Sequence, residues 1–145
     1  MTEERGLMPL EGPRTIKDLR IWVAELDEAY RNLMQEGTDY GKVPGAAKPS
    51  LWKPGAELLK LKLGLHTEIE EVRSLEDWDR GIFAYILRCK VYRADGVLLG
   101  TGLGSCNNLE KKYRWRKNKE TGKEEMNPEP WDLANTILKM AKKRA

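Results

Sequence analysis

The chain has 145 residues, 40% of them apolar and 34% charged, with a net charge of +3. Such a chain has enough apolar residues to build the core of one domain, and its near-balance of charge excludes a general polycation. No apolar run approaches the roughly 20 residues of a membrane span, the opening MTEERGLMPL lacks the apolar core of a signal peptide, and two cysteines make no disulfide framework, so a cytoplasmic protein is expected.

Residues 1–14 hold Gly6, Pro9, Gly12 and Pro13 and read as a loose arm. Thr15-x-x-Asp18 has the form of a capping box and predicts a helix start. Ile16, Leu19, Trp22, Val23, Leu26, Tyr30 and Leu33 follow at helical spacing, and Gly37 is the expected cap. The stretch TDYGKVPGAAKPSLWKP predicts a long loop, of the kind that often carries function. Pro54 suits the first turn of a second helix that ends at Gly64. A β-sheet is expected next: a weak strand at 66–74, an acidic connection, a strong strand at 81–93, and a return strand at 97–106. Asp95-Gly96 predicts a two-residue hairpin turn between the last two. The basic stretch 109–119 comes next, then a loop NKETGKEEMNPEP. A last helix begins near Pro130, with Trp131, Ala134, Ile137, Leu138 and Ala141 on its apolar face. The expected fold class is α+β: a curved antiparallel sheet of at least three strands packed with helices, in a single domain spanning 15–145.

Several residues invite a chemical reading. Gly100, Gly102 and Gly104 alternate on the return strand, so one of its faces is nearly free of side chains. A helix, a neighbouring subunit or a nucleic acid can approach that face closely. These glycines are neither a phosphate loop nor a dinucleotide fingerprint, since no Gly-Lys-Ser/Thr follows and no helix opens there. No nucleotide cofactor is therefore expected. A two-residue turn pairs Ala94 with Val97, which puts Cys89 opposite Gly102 and Cys106 opposite Tyr85; the thiols stand out of register and are expected to be free. His66 lacks a nucleophile motif beside it. The carboxylates Glu68, Glu70, Glu71, Glu76, Asp77 and Asp79 form an acidic edge that a Mg²⁺-dependent nuclease would use, though a solvated edge is the plainer reading. No metal site is expected.

The basic residues are segregated. LEKKYRWRKNK (109–119) sets Lys111, Lys112, Arg114, Arg116, Lys117 and Lys119 against the single Glu110, and interleaves Tyr113 and Trp115. Phosphate binding uses such cations, and single-strand binding adds aromatic platforms for bases. Lys42, Lys48 and Lys53 in the long loop supply further cations, as do Arg88 and Lys90 on one face of the strong strand. Lys139, Lys143 and Arg144 lie at the end of the last helix. Each element alone reads better as a solvated face; the basic stretch, the long loop and the helix end together, beside a glycine-smoothed sheet, suggest nucleic-acid binding.

The order of these elements resembles the Rad-fifty-two-type single-strand annealing proteins and their phage counterparts in the RecT and Red-beta group. VPG (43–45), LGL (63–65), the DG hairpin, GLG (102–104) and KKRA (142–145) stand where eukaryotic members carry I-P-G, F-G-F, a D-G turn, G-Y-G and K-R-A. GSCNNLEKKYR and DLANTILKMAKKRA are similar to segments of phage proteins in that group. The resemblance covers roughly residues 15–145. It implies a homo-oligomeric ring or arc that binds single-stranded DNA in a basic groove and anneals complementary strands without ATP. It also implies that Lys143 and Arg144 contact the DNA backbone, with Arg88, Lys90 and the 111–117 strip as the sheet-side wall. Family members continue the last helix beyond this motif and use it to shape the ring. A protein-interaction module that docks an acidic partner is the alternative reading, and the Mg²⁺ nuclease a further one.

Overall fold

The computed structural model describes residues 15–145; the expected N-terminal arm lies outside them. The chain divides into two compact units. One contains the described residues up to His66 together with 92–98, and the other contains 67–91 and 99–145.

In the first unit, α1 (Ile16–Leu33) begins at the predicted capping box: Thr15 Oγ1 accepts from Asp18 N at 3.1 Å, and Asp18 Oδ2 accepts from Thr15 N at 3.1 Å. The helix ends at Leu33, before the expected Gly37. Met34 turns to an extended backbone and is buried, and the buried Asp39 carboxylate accepts the Gln35 N–H at 2.8 Å. A side-chain acceptor thus ends the helix earlier than a glycine would. The expected loop is also partly ordered as strand. β1 (Tyr40–Gly41) pairs antiparallel with β2 (Ser50–Leu51), and Trp52 N donates to Asp39 O at 2.8 Å. Helix α2 (Lys53–Leu63) carries Pro54 in its first turn and stops at Gly64 with φ 63°, as predicted.

Strand β3 (His66–Asp77) runs through much of the expected acidic connection. With β4 (Ile82–Tyr92) and β5 (Leu98–Asn107) it forms an antiparallel sheet of order β3-β4-β5. The hairpin turn differs from the two-residue expectation. Gly96 N donates to Arg93 O and Arg93 N to Val97 O, both at 2.9 Å, so the loop holds three residues and closes on Arg93–Val97. Gly96 sits at φ 86°, the left-handed position that such a loop with a bulge requires. Asp95 reinforces it by accepting Arg93 Nε at 2.8 Å and Nη2 at 2.6 Å, and the guanidinium holds the Asp95 carboxyl down to about 2. Cys89 and Cys106 are free thiols, as expected.

The second unit has its core on one face of this sheet. Phe83, Tyr85 and Leu87 alternate inward from β4 and meet Cys106 of β5 with Ile137 and Ala141 of α4 (Ala134–Arg144). A 3₁₀ turn, Pro130–Leu133, leads into α4. Leu138, expected on the apolar face, is exposed; Met140 packs on the core instead. At the sheet's edge the buried Asn108 accepts Phe83 N through Oδ1 at 2.9 Å and donates Nδ2 to Gly81 O at 2.7 Å. Tyr85 Oη donates to Glu76 at 2.6 Å, and burial followed by that neighbouring carboxylate raises the phenol to about 12.

The glycine face of β5 receives the end of α4. A Cβ on Gly104 would run into the backbone of Ala141, Arg144 and Ala145, and one on Gly102 into the Ala145 carbonyl; Gly100 has open space. Of the three readings of these glycines, a closely packed helix fills Gly102 and Gly104. Among the described residues no helix is long and apolar enough to cross a membrane.

Overpacking against backbone has no flexible neighbour to relieve it. Gly104→Ala is expected to cost about 3 kcal/mol or more, and Gly100→Ala under about 0.5 kcal/mol, in urea unfolding. Equal costs would show that α4 does not seat on this strand.

Candidate nucleic-acid interface

The basic stretch does not form one uniform strip. Its first part is a single helical turn, α3 (Lys111–Arg114), in which Tyr113 N and Arg114 N each donate to Glu110 O at 2.9 Å. Its second part is β6 (Trp115–Lys117), which pairs antiparallel with β7 (Glu124–Met126). The segment expected as a loop therefore supplies a strand, and an acidic one.

Glu110, the lone anion of the stretch, organises the site. Arg144 donates Nη1 to Glu110 Oε1 at 2.7 Å and Nη2 to Oε2 at 3.0 Å, a two-pronged contact that adds direction as well as charge. The same Nη1 reaches Ser105 O at 2.7 Å, and Asn107 N approaches Glu110 Oε1 at 3.4 Å. Arg144 first, then the Asn107 N–H, outweigh partial burial and hold the Glu110 carboxyl at about 2. Beneath this clasp lies Cys106, whose thiol burial pushes upward, with the Glu110 charge adding to it. The C-terminal end of α4 is thereby fixed beside the first residue of α3.

The expected contact residues fall into three groups. Lys111, Lys112, Lys139 and Lys143 are exposed and have no carboxylate partner among the described residues. Lys112 Nζ lies 4.6 Å from the Tyr113 ring centre, and the Arg114 guanidinium 5.7 Å from that of Trp115, both within cation–π range. A second group is already engaged. Arg144 is held in the clasp, Arg116 Nε faces Glu125 at 3.7 Å, and Arg88 and Lys90 share Glu70 at 2.7 and 2.8 Å. The third group, Lys42, Lys48 and Lys53, is exposed in the other unit.

The two aromatics separate likewise. Tyr113 packs against the core cluster, whereas Trp115 is 41% exposed, with the Arg114 guanidinium over its ring. The acidic edge is dispersed. Glu70 binds two cations, Glu71 accepts from Ser74, Glu76 from Tyr85, and Asp77 from the Arg80 backbone. Among the described residues no group of three His, Cys, Asp or Glu side chains converges as metal ligands would.

Sequence reasoning treated Glu110 only as an exception in a basic run. Its isolation among cations was the available signal, since a single acid there must have partners. The pairing of Arg116 with Glu125 had a weaker signal, the charge complementarity of WRK and KEE across a Thr-Gly turn.

No family model, curated protein or solved structure matches the chain. The likeness to annealing proteins therefore rests on the sequence segments given above.

The low position of Glu110 sets a pH dependence. The stability it shares with Arg144 is complete above the ordinary glutamate value of 4.5 and is lost as pH falls toward about 2. Glu110→Gln is expected to cost about 1 kcal/mol at pH 7, given solvent screening, and to lose less stability than the parent between those limits. Parallel acid unfolding curves for parent and variant would contradict the clasp.

Proposed function

We propose that the protein binds single-stranded DNA through the surface made by α3 and the end of α4, and anneals complementary strands without ATP. The observation that carries this reading is the Glu110–Arg144 clasp, which ties the residue after Lys143 to the residue before Lys111, while Lys111, Lys112 and Lys143 have no carboxylate partner among the described residues. Lysines on a fixed surface suit a phosphate backbone, whose binding releases condensed counterions. The exposed Trp115 next to them offers a sequence-tolerant platform for one base. Phosphates held by cations leave base edges free, as pairing with a second strand requires.

The resemblance to Rad-fifty-two-type proteins supplies the rest of the proposal: action in homologous recombination or repair, in the cytoplasm, as a phage-type homo-oligomer. Ile86, Leu99 and Leu103 are large, exposed apolar side chains of the central sheet and give a second copy something to cover. Arg144 has a different part here from the one the resemblance implies. It positions Lys143 and α3, and Lys143 carries the contact.

Fluorescence binding to an oligothymidylate, without nucleotide or metal, tests the reading. Replacing Lys111, Lys112 and Lys143 together by Ala is expected to lower the salt slope of log K by about 2, at about 0.7 for each lost phosphate contact. Trp115→Ala is expected to weaken binding by about 1 kcal/mol with the slope unchanged. A triple variant with the parent's slope would remove these lysines from the interface. Addition of the complementary strand then reads annealing; binding without acceleration would leave a single-strand binder.

A further inference from the structure

The acidic strand that folds onto the basic one has a consequence for affinity. In the β6–β7 ladder Arg116 stands opposite Glu125 and Lys117 opposite Glu124. Glu125 faces Arg116 Nε at 3.7 Å and accepts Asn118 Nδ2 at 3.0 Å. Backbone bonds fix this register. Asn118 N donates to Lys123 O at 2.9 Å, Gly122 N to Asn118 O at 2.8 Å, and Asn127 N to Arg114 O at 2.8 Å. Asn118 Oδ1 also accepts Glu120 N at 2.8 Å, which tightens the turn. Glu125 is therefore held near Arg116 by the ladder, independently of the ion pair itself, while Glu124 and Lys117 share the next rung without an ion pair.

That ion pair is long and open to water, with side chains 53% and 40% exposed, and such a pair contributes little. A phosphate offers Arg116 a charge-assisted, two-pronged contact that Glu125 at this distance does not make. We infer that β7 is a built-in anionic competitor: Glu125, with the charge of Glu124 at the next rung, covers Arg116 in the free protein and yields it to a phosphate of a bound single strand. The ladder keeps the displaced carboxylate nearby, so a phosphate at this hairpin must outcompete it at close range. A strand anchored at the α3–α4 lysines meets that condition more readily than an isolated phosphate, because its later contacts are intramolecular. The inference rests on the nucleic-acid reading given above.

The test compares oligothymidylate binding by the parent with Glu125→Gln, Glu124→Gln, Arg116→Ala, the Arg116→Ala/Glu125→Gln pair, and Glu129→Gln as a control for charge alone. The amide introduced by Glu125→Gln keeps an acceptor for Asn118, and far-UV circular dichroism checks the fold. Glu124→Gln, at the neighbouring rung opposite Lys117, serves if the first variant fails to fold. Glu125→Gln is expected to bind about fivefold tighter, with the parent's salt slope, because the Arg116–phosphate contact forms in both. Arg116→Ala alone is expected to lower the salt slope by about 0.7 as its phosphate contact is lost, and to abolish the gain from Glu125→Gln. An equal gain in Glu129→Gln, or a Glu125→Gln gain that survives Arg116→Ala, overturns the inference and leaves general charge as the cause. Parent binding with every variant unchanged overturns the inference alone; absence of binding throughout overturns the nucleic-acid reading along with it.

Discussion

The seating of the α4 backbone on the side-chain-free face of β5 is the contact on which the second unit depends. Gly104 and Gly102 let the helix end approach the strand at backbone distance. That approach buries Ile137 and Ala141 against Phe83, Tyr85 and Leu87. It also delivers Arg144 to Ser105 O and to Glu110, just past the strand's end. Core and charged surface therefore share one cause. A helix held further off by ordinary side chains would leave a cavity beneath it and put the guanidinium out of reach of the carboxylate.

Electrostatics then divides the cations by what holds them. Arg144 sits in a two-pronged, partly enclosed contact, and its role is architectural. Arg88 and Lys90 share one carboxylate, which lowers the local positive charge of the sheet. Arg116 is covered loosely at 3.7 Å. The lysines flanking the clasp carry unneutralised charge. A map of basic residues drawn from sequence treats all of these alike, whereas among the described residues the structure separates them into clasped, shared, loosely paired and carboxylate-free cations.

Much of the fold was legible in the sequence. The capping box at Thr15, the stop at Gly64 and the strong strand around Phe83 each carry a local signal, and local signals were sufficient. The alternating glycines announced a close neighbour without saying which, because three kinds of neighbour fit a flat face equally well. Boundaries set by a side-chain cap or a cross-strand partner, rather than by the segment's own residues, were missed. Asp39 ends α1 ahead of Gly37, and β7 forms only because β6 lies across from it. The site was legible as composition and illegible as pairing. Nothing in KKYRWRK says that Tyr113 turns inward while Trp115 turns outward, or that Arg144 is tied to Glu110 across 34 positions of chain.

One contact surface joining α3 to the end of α4 is what the proposed function requires. The most direct measurement is amine labelling of the lysines, read by mass spectrometry, with and without a saturating oligothymidylate. Lys111, Lys112 and Lys143 are expected to lose reactivity together as the strand is added. Undiminished labelling of all three, or protection confined to Lys42, Lys48 and Lys53, would contradict such a surface.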